Sequence, residues 1–226
     1  MSSPRRTCLV GATGLVGASV IAGAVGRHDV RVIGVARREM ALPPGARMEM
    51  LLADPDRWPD AIAASGASVL VCALGTTMKA AGEDKAAFRR VDHDLVVACG
   101  QAAKAAGIEH MIVVSSAGAD QGSRNFYLRT KGEMEGALSR LRLKRLDILR
   151  PGLIRGPRDE RRPLERVGQV VAPLTDLFLH GGYRKYRSIR ATTLAQAILA
   201  LAREKAGGHF IHEHDAMLYA IRRAGG

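Results

Sequence analysis

The stretch TCLVGATGLVG, residues 7–17, decides how this chain is read. Its first four residues suit a short buried strand, and its last seven place glycine at positions 11, 14 and 17. A small-residue helical pattern then runs on to residue 25. Glycine also marks ordinary turns, but a strand before and a helix after give each of these three a physical task. Gly11 permits a tight turn, Gly14 lets backbone approach a pyrophosphate, and Gly17 allows helix and strand to pack closely. The helix that follows points its free amides and the positive end of its dipole at the same place. Gly11, Thr13, Gly14, Leu15, Val16 and Gly17 are therefore the expected phosphate-binding residues of a dinucleotide site.

Outward from this unit, short apolar runs rich in β-branched residues alternate with longer helical patterns. Strands are expected over residues 30–36, 47–53, 68–74, 110–115 and 146–149, and helices over 58–64, 85–106 and 125–141. Strands separated by helices imply parallel βαβ units, and near-continuous apolar strands such as VLVCAL fit a sheet buried on both faces. The fold class is thus α/β, a doubly wound parallel sheet. After residue 156 the pattern changes. The charged, proline-bounded stretch RGPRDERRP, residues 155–163, leads into a tail with a helix over 192–205 and a short strand over 209–212. Residues 1–155 read as the nucleotide-binding domain and 156–226 as a small C-terminal lobe, integrated with it and covering a substrate.

In such sheets ligands lie beyond the carboxyl ends of the strands, so those ends were read in turn. An NAD site expects an acidic residue after the second strand. Here that end reads Val35-Ala36-Arg37-Arg38. A guanidinium fork suits a 2′-phosphate, so NADP(H) is expected, although two arginines on a loop can equally be mere solvated charge. Asp54 ends the third strand, where it can accept from an adenine amino group or cap the helix behind Pro55. Ala73, Leu74, Gly75 and Thr76 end the fourth strand, where backbone would meet the cofactor ribose or form a simple turn. Ser115 and Ser116 end the fifth. Tyr127 and Lys131 follow, four apart and so on one helix face. An ammonium that near favours the phenolate and suits Tyr127 to exchange a proton at a carbonyl. The same spacing also occurs on ordinary amphipathic helices.

GATGLVG, VSSAGA, YLRTK and Arg150-Pro151-Gly152 together resemble the short-chain dehydrogenase/reductase superfamily, with its Rossmann fold. More narrowly, NFYLRTKGEME, residues 125–135, with the segments 149–154 and 158–163, is similar to the atypical, Tat-interacting-protein-like members. The resemblance implies a Ser–Tyr–Lys arrangement in which Ser116 (Ser115 standing second) orients the carbonyl, Tyr127 moves the proton and Lys131 also holds the nicotinamide ribose. Pro151 and Gly152 would pass the nicotinamide, and a homodimer would form through residues 85–106 and 125–141. Asp92 departs from the pattern, standing where many extended members carry asparagine.

Composition narrows the classes. The formal charge is +12, but the basic residues are scattered, so an Arg-rich solvated surface is expected and not a nucleic-acid partner. Charged residues interrupt every apolar run, which excludes a membrane span. Cys8, Cys72 and Cys99 have neither metal nor redox spacing and read as buried reduced thiols. With a first apolar run too short for a signal peptide, a cytoplasmic protein is expected. His212 and His214 share a face if 209–212 is a strand, yet no third ligand is fixed, so no metal is expected. Tyr183 to Arg187 interleaves aromatic and basic residues as a solvated loop, and Arg155, Arg158, Arg161 and Arg162 can meet an anionic substrate or simply solvate a loop. The functional expectation is an NADP(H)-dependent oxidoreductase acting on a carbonyl or related group of a small molecule. The alternatives are a cofactor-binding regulator or redox sensor without turnover and, more weakly, a sugar-nucleotide epimerase.

Overall fold

The computed structural model describes residues 4–46, 48–156 and 179–225. Seven strands, β1 (Arg5–Val10), β2 (Val30–Ala36), β3 (Glu49–Leu52), β4 (Val69–Cys72), β5 (His110–Val114), β6 (Arg145–Leu149) and β9 (Gly208–His212), form one sheet in the order β3-β2-β1-β4-β5-β6-β9. Every neighbouring pair is parallel. Parallel pairing puts all seven carboxyl ends on one edge. The direction of winding reverses between β1 and β4, and the crevice where ligands enter such sheets lies there. Two further short strands, β7 (Ile154–Arg155) and β8 (Ile189–Arg190), pair with each other alone.

Helices cover both faces. One face packs α1 (Leu15–Ala24), α6 (Ala191–Leu201) and α7 (His214–Ala224) over Leu9, Val32, Val71 and Ile112. The other packs α2 (Trp58–Ala64), α4 (Leu95–Ala105) and α5 (Phe126–Arg140) over Cys8, Leu70, Met111 and Ile148. The expected doubly wound α/β fold is the observed one. Cys8, Cys72 and Cys99 are buried and unpaired, and burial pushes the Cys8 thiol up to about 12, which leaves it inert.

Two differences from the expected elements have physical causes. The helix expected over residues 85–106 is divided into α3 (Lys85–Arg89), a π turn at Arg90–Asp94 and α4. The tail, expected as a small lobe integrated with the domain, also enters the core. Its helix α6 lies against α1, and β9 joins the sheet beside β6, so the chain's return supplies part of the core. Arg158, Arg161 and Arg162, and residue 47 of the expected third strand, lie outside the described residues.

A buried charge cluster fastens that return. Asp147 on β6 is 0% exposed and accepts from His110 Nε2 of β5 at 2.7 Å, His212 Nε2 of β9 at 2.7 Å and Arg145 Nε at 2.6 Å. Burial alone would raise this carboxyl. The hydrogen bonds from His110, His212 and Arg145 outweigh it and hold the group well below the usual carboxylate range. His110 is held below its ordinary value because burial outweighs its bond to Asp147. Both shifts favour the less protonated form in the fold, so in each case the unfolded chain takes up protons first as pH falls. Thermal stability is therefore expected to fall on acidification in two ranges, first below about pH 6.5 through His110 and again below about pH 4 through Asp147. Asp147→Asn, which strands Arg145 without its anion, is expected to cost about 3–5 kcal/mol in urea unfolding.

Candidate functional site

The turn from β1 into α1 is closed by backbone packing. Gly11 adopts φ +87°, and a Cβ there would lie 2.7 Å from the Ala73 carbonyl at the end of β4. A Cβ on Gly17 would lie 2.1 Å from the Gly11 oxygen. Gly14 differs. It stands at the N-cap of α1 with its amide on Gly11 O, and an added Cβ would meet only that oxygen, at 3.4 Å. The turn is packed on its inner side and open on the outer, where Thr13 and Gly14 are exposed. Leu15 is half-buried and Val16 buried behind it. A pyrophosphate fits this cradle, since free helix amides face the open side.

The other predicted residues reach the same edge of the sheet. Arg37 and Arg38 are exposed directly after β2, with no ion pair or hydrogen bond to any described residue. Asp54 is exposed after β3, and its side chain does not cap the turn that follows. Of the two readings of Asp54, the cap is therefore not the one realised. Trp58 Nε1 donates to Ala53 O at 3.0 Å and holds this corner in place. Ala73, Leu74, Gly75 and Thr76 lead away from β4 beside the glycine turn.

The two serines differ in their surroundings. The Ser115 hydroxyl is buried and donates to Glu135 Oε1, and Glu135 in turn binds Arg150 Nε at 3.0 Å. Ser116 is half-buried and has only a 3.4 Å contact to Ala117 O. The serine segment is tied to β6 by Ser115 N to Leu149 O at 2.7 Å and Ala117 N to Pro151 O at 2.8 Å, which places Pro151 and Gly152 alongside it. It also lies on α5, where Asp120 N donates to Leu128 O at 3.1 Å. Asn125 caps α5 by accepting from Leu128 N, so the first turn that carries Tyr127 is fixed.

Tyr127 is half-buried, its ring 5.6 Å from that of Phe88 on α3. Lys131, one turn on, is buried at 3% exposure, and its Nζ lies 2.7 Å from Asp92 Oδ1. The second oxygen of Asp92 accepts from Thr76 N at 2.8 Å, joining the β4 loop to the same carboxylate. In the sequence alone Asp92 stands out only as a departure from asparagine. The available signal was its position four residues after Phe88, the same spacing as Tyr127 to Lys131. Arg155 on β7 is half-buried with its Nε lacking a hydrogen-bond partner, and the next residue, Gly156, lies against Leu15 of the glycine turn. His212 and His214 turn to Asp147 and Asp215. Among the described residues no group of three His, Cys, Asp or Glu can hold a metal ion, and no helix is long and apolar enough to cross a membrane.

A family model described as NAD(P)H-binding matches residues 11–176. The chain belongs to the NAD(P)H-binding family. Protein fmp52, mitochondrial, of Emericella nidulans is 36% identical over 171 residues, covering 73% of each chain. Protein HTATIP2 of Rattus norvegicus is 44% identical over 100 residues, 44% of this chain and 40% of that one. The structure of a putative NAD-dependent epimerase/dehydratase from Bacillus halodurans superposes with a TM-score of 0.70 at 21% identity, over 97% of this chain and 99% of that one. This NAD(P)H-binding chain is thus an atypical short-chain dehydrogenase/reductase, similar to the Tat-interacting-protein-like members, with an oxidoreductase-like fold for a nicotinamide cofactor. The expected cytoplasmic location is corrected by these findings, because the fungal relatives are named mitochondrial proteins. Neither a first apolar run too short for a secretory signal nor buried reduced thiols separates the cytosol from a mitochondrial interior.

The contrast between the serines is open to a direct measurement. Ser115→Ala is expected to cost about 1–2 kcal/mol in urea unfolding, since it removes a buried hydrogen bond to a charged group. Ser116→Ala is expected to stay within about 0.5 kcal/mol of the unaltered protein.

Proposed function

We propose that this family member is an NADP(H)-dependent reductase of a carbonyl or related group on a small molecule, with Ser116, Tyr127 and Lys131 as its reacting side chains. The observation that carries this reading is a half-buried Tyr127 with a buried Lys131 one turn on, on a helix to which the segment after Ser116 is tied through Asp120 N and Leu128 O, the Ser116 hydroxyl having only a 3.4 Å contact among the described residues. The nicotinamide cofactor supplies the hydride. Ser116 donates to the substrate oxygen and orients the carbonyl, and Tyr127 delivers the proton that completes the alcohol. Lys131, through its remaining N–H donors, holds the ribose against the β4 loop of Ala73, Leu74, Gly75 and Thr76. Pro151 and Gly152 border the nicotinamide.

Preference for the phosphorylated cofactor rests on Arg37 and Arg38. They are exposed directly after β2 without an ion pair to any described residue, and they stand where an NAD site would place its carboxylate, the nearest one, Glu39, coming only after both. A guanidinium binds phosphate through two parallel hydrogen bonds, which a ribose hydroxyl cannot match. Asp54, exposed after β3, would accept from the adenine amino group. The glycine turn, Gly11 to Gly17, holds the pyrophosphate.

A side-by-side fluorescence titration with NADPH and NADH tests the cofactor half. Tighter binding of NADPH is expected, with the preference reduced about tenfold or more in Arg37→Ala. Tyr127→Phe tests the chemistry: turnover in a carbonyl screen is expected to fall about 10²-fold or more with NADPH affinity unchanged. A chain whose activity and cofactor affinity both ignore Tyr127→Phe would instead be a cofactor-binding regulator.

A further inference from the structure

Ile154 and Arg155 of β7 lie in parallel register with Ile189 and Arg190 of β8. The two isoleucines pack on the core that α1 and α6 share. Side chains alternate along a strand, so the two arginines project together from the other face, on strands about 4.8 Å apart. Like charges so placed repel. Three neighbouring arginines have partners: Arg150 binds Glu135, Arg184 binds Asp215, and Arg187 Nε donates to Leu179 O at 2.9 Å. Arg155 and Arg190 make no ion pair with any described residue. Arg155 is half-buried, and its Nε is shut from solvent without a hydrogen-bond partner. A buried donor left without an acceptor is costly, and native structures rarely keep one that nothing from outside the chain completes.

The two arginines stand at the cofactor edge of the sheet. Gly156, next after Arg155, lies against the first residues of two helices, Leu15 of α1 and Ala191 of α6. A Cβ on it would come within 2.8 Å of Leu15 Cδ1 and 3.3 Å of Ala191 Cβ. Arg190 is the N-cap of α6, a helix with no acidic residue in its first turn and no side-chain cap. The free α6 amides therefore add to the positive character of this corner. At the other end of the short strands, Ile189 N donates to Leu153 O at 2.9 Å, which fixes β8 against the chain directly after Gly152. Arg155 follows Gly152 by three residues, about 10 Å of extended chain. An arginine side chain and a short carbon skeleton can span that separation between them.

We propose that Arg155 and Arg190 form an anion subsite beside the cofactor cradle, and that the carbonyl substrate brings a carboxylate or phosphate to it. Arg155 supplies the buried contact and Arg190 the exposed one. An anion between two guanidinium groups accepts charge-assisted hydrogen bonds from both, and their mutual repulsion becomes shared attraction. The subsite stands on the two arginines; giving its anion to a substrate rests on the reductase reading above. The pyrophosphate of the cofactor carries the same chemistry, and the two sources differ in one respect. A cofactor phosphate would fill the subsite in the cofactor-loaded protein, whereas a substrate anion would find it open.

The test is thermal denaturation of the full chain saturated with NADP+ and titrated with inorganic phosphate at constant ionic strength. Phosphate is expected to raise the melting temperature, as a ligand of the folded state does. Its Kd is expected to weaken about tenfold or more in Arg155→Met, which keeps the apolar stem, and about threefold in Arg190→Gln, an exposed position that tolerates change. A second arm compares succinic semialdehyde with butanal, the aldehyde of the same chain length without the acid. The unaltered protein is expected to prefer the acid about tenfold in kcat/KM, and Arg155→Met to lose that preference; the ratio cancels any general loss of activity. Phosphate binding unmoved in both variants overturns the subsite, and equal use of the two aldehydes by the unaltered protein overturns the substrate half. Phosphate that fails to bind the saturated protein, with NADP+ affinity about tenfold weaker in Arg155→Met, gives the anion to the cofactor and also overturns the substrate half. The same failure with NADP+ affinity unchanged overturns both halves. Turnover of neither aldehyde removes the reductase reading and the substrate half, while the phosphate titration still decides the subsite.

Discussion

The turn between β1 and α1 leaves no space for a side chain on its inner side, and this steric closure sets the position of everything at the carboxyl edge of the sheet. Gly17 lies on the Gly11 oxygen, and Gly11 lies on the backbone just after β4. The helix axis, the strand it leaves and the neighbouring strand across the reversal point are thereby brought to backbone contact. Because the sheet is parallel, fixing β1 against β4 also fixes β5 and β6 in register with them. The serine segment and the tyrosine helix are carried on those strands. The glycine turn and the Ser116, Tyr127 and Lys131 segment are thus held together by a packing constraint, before electrostatics enters.

Electrostatics then divides the edge into two regions. Inside, each buried charge has its opposite: Lys131 with Asp92, Arg150 with Glu135, Arg145 with Asp147. Burying an ion pair is costly unless further hydrogen bonds satisfy it, and here the extra partners are Thr76 N, the Ser115 hydroxyl and two imidazoles. Outside, Arg37 and Arg38 are exposed and pair with no described residue. Among the described residues the excess positive charge therefore lies at the surface and not in the interior. An anionic cofactor entering from solvent would meet the free positive charge first and the neutralised interior last.

The sheet was legible because each of its central strands is an apolar run of strand length next to a glycine or a polar turn, a local property. Val69–Cys72 and His110–Val114 are apolar enough that no other placement would bury them on both faces. The glycine loop and the Tyr127–Lys131 spacing were legible for the same reason, since each is contained within a few consecutive residues. The division of residues 85–106 by a π turn was not legible, because its apolar periodicity continues through Arg90–Asp94 and only the fit to α5 calls for the widening. Nor was the difference between Ser115 and Ser116, which depends on Glu135 twenty residues further on. The partner of Lys131 could be guessed from type but not from spacing, since 39 residues separate Asp92 from Lys131 and only the meeting of two helices joins them.

The tail shows how a long-range requirement can be hidden in an unremarkable sequence. After β6 the chain runs past Gly152, where an added Cβ would lie 2.5 Å from the carbonyl oxygens of Tyr186 and Arg187. On the other side of the serine segment, the Tyr186 ring approaches within 3.5 Å of the place a Cβ would take on Gly118. The basic and aromatic turn Gly181–Tyr186 is thus pressed between two glycine positions that belong to the site itself. What holds it there is the return of the chain to the sheet through α6 and β9, anchored by the His110–Asp147–His212 cluster. The turn is nonetheless exposed at residues 181–184 and at Tyr186, as a solvated loop should be, and only its backbone and one edge of the Tyr186 ring lie on those glycines. The position of Tyr186 is thus set by contacts with Gly118 and Gly152, both distant in sequence, which no local pattern could reveal.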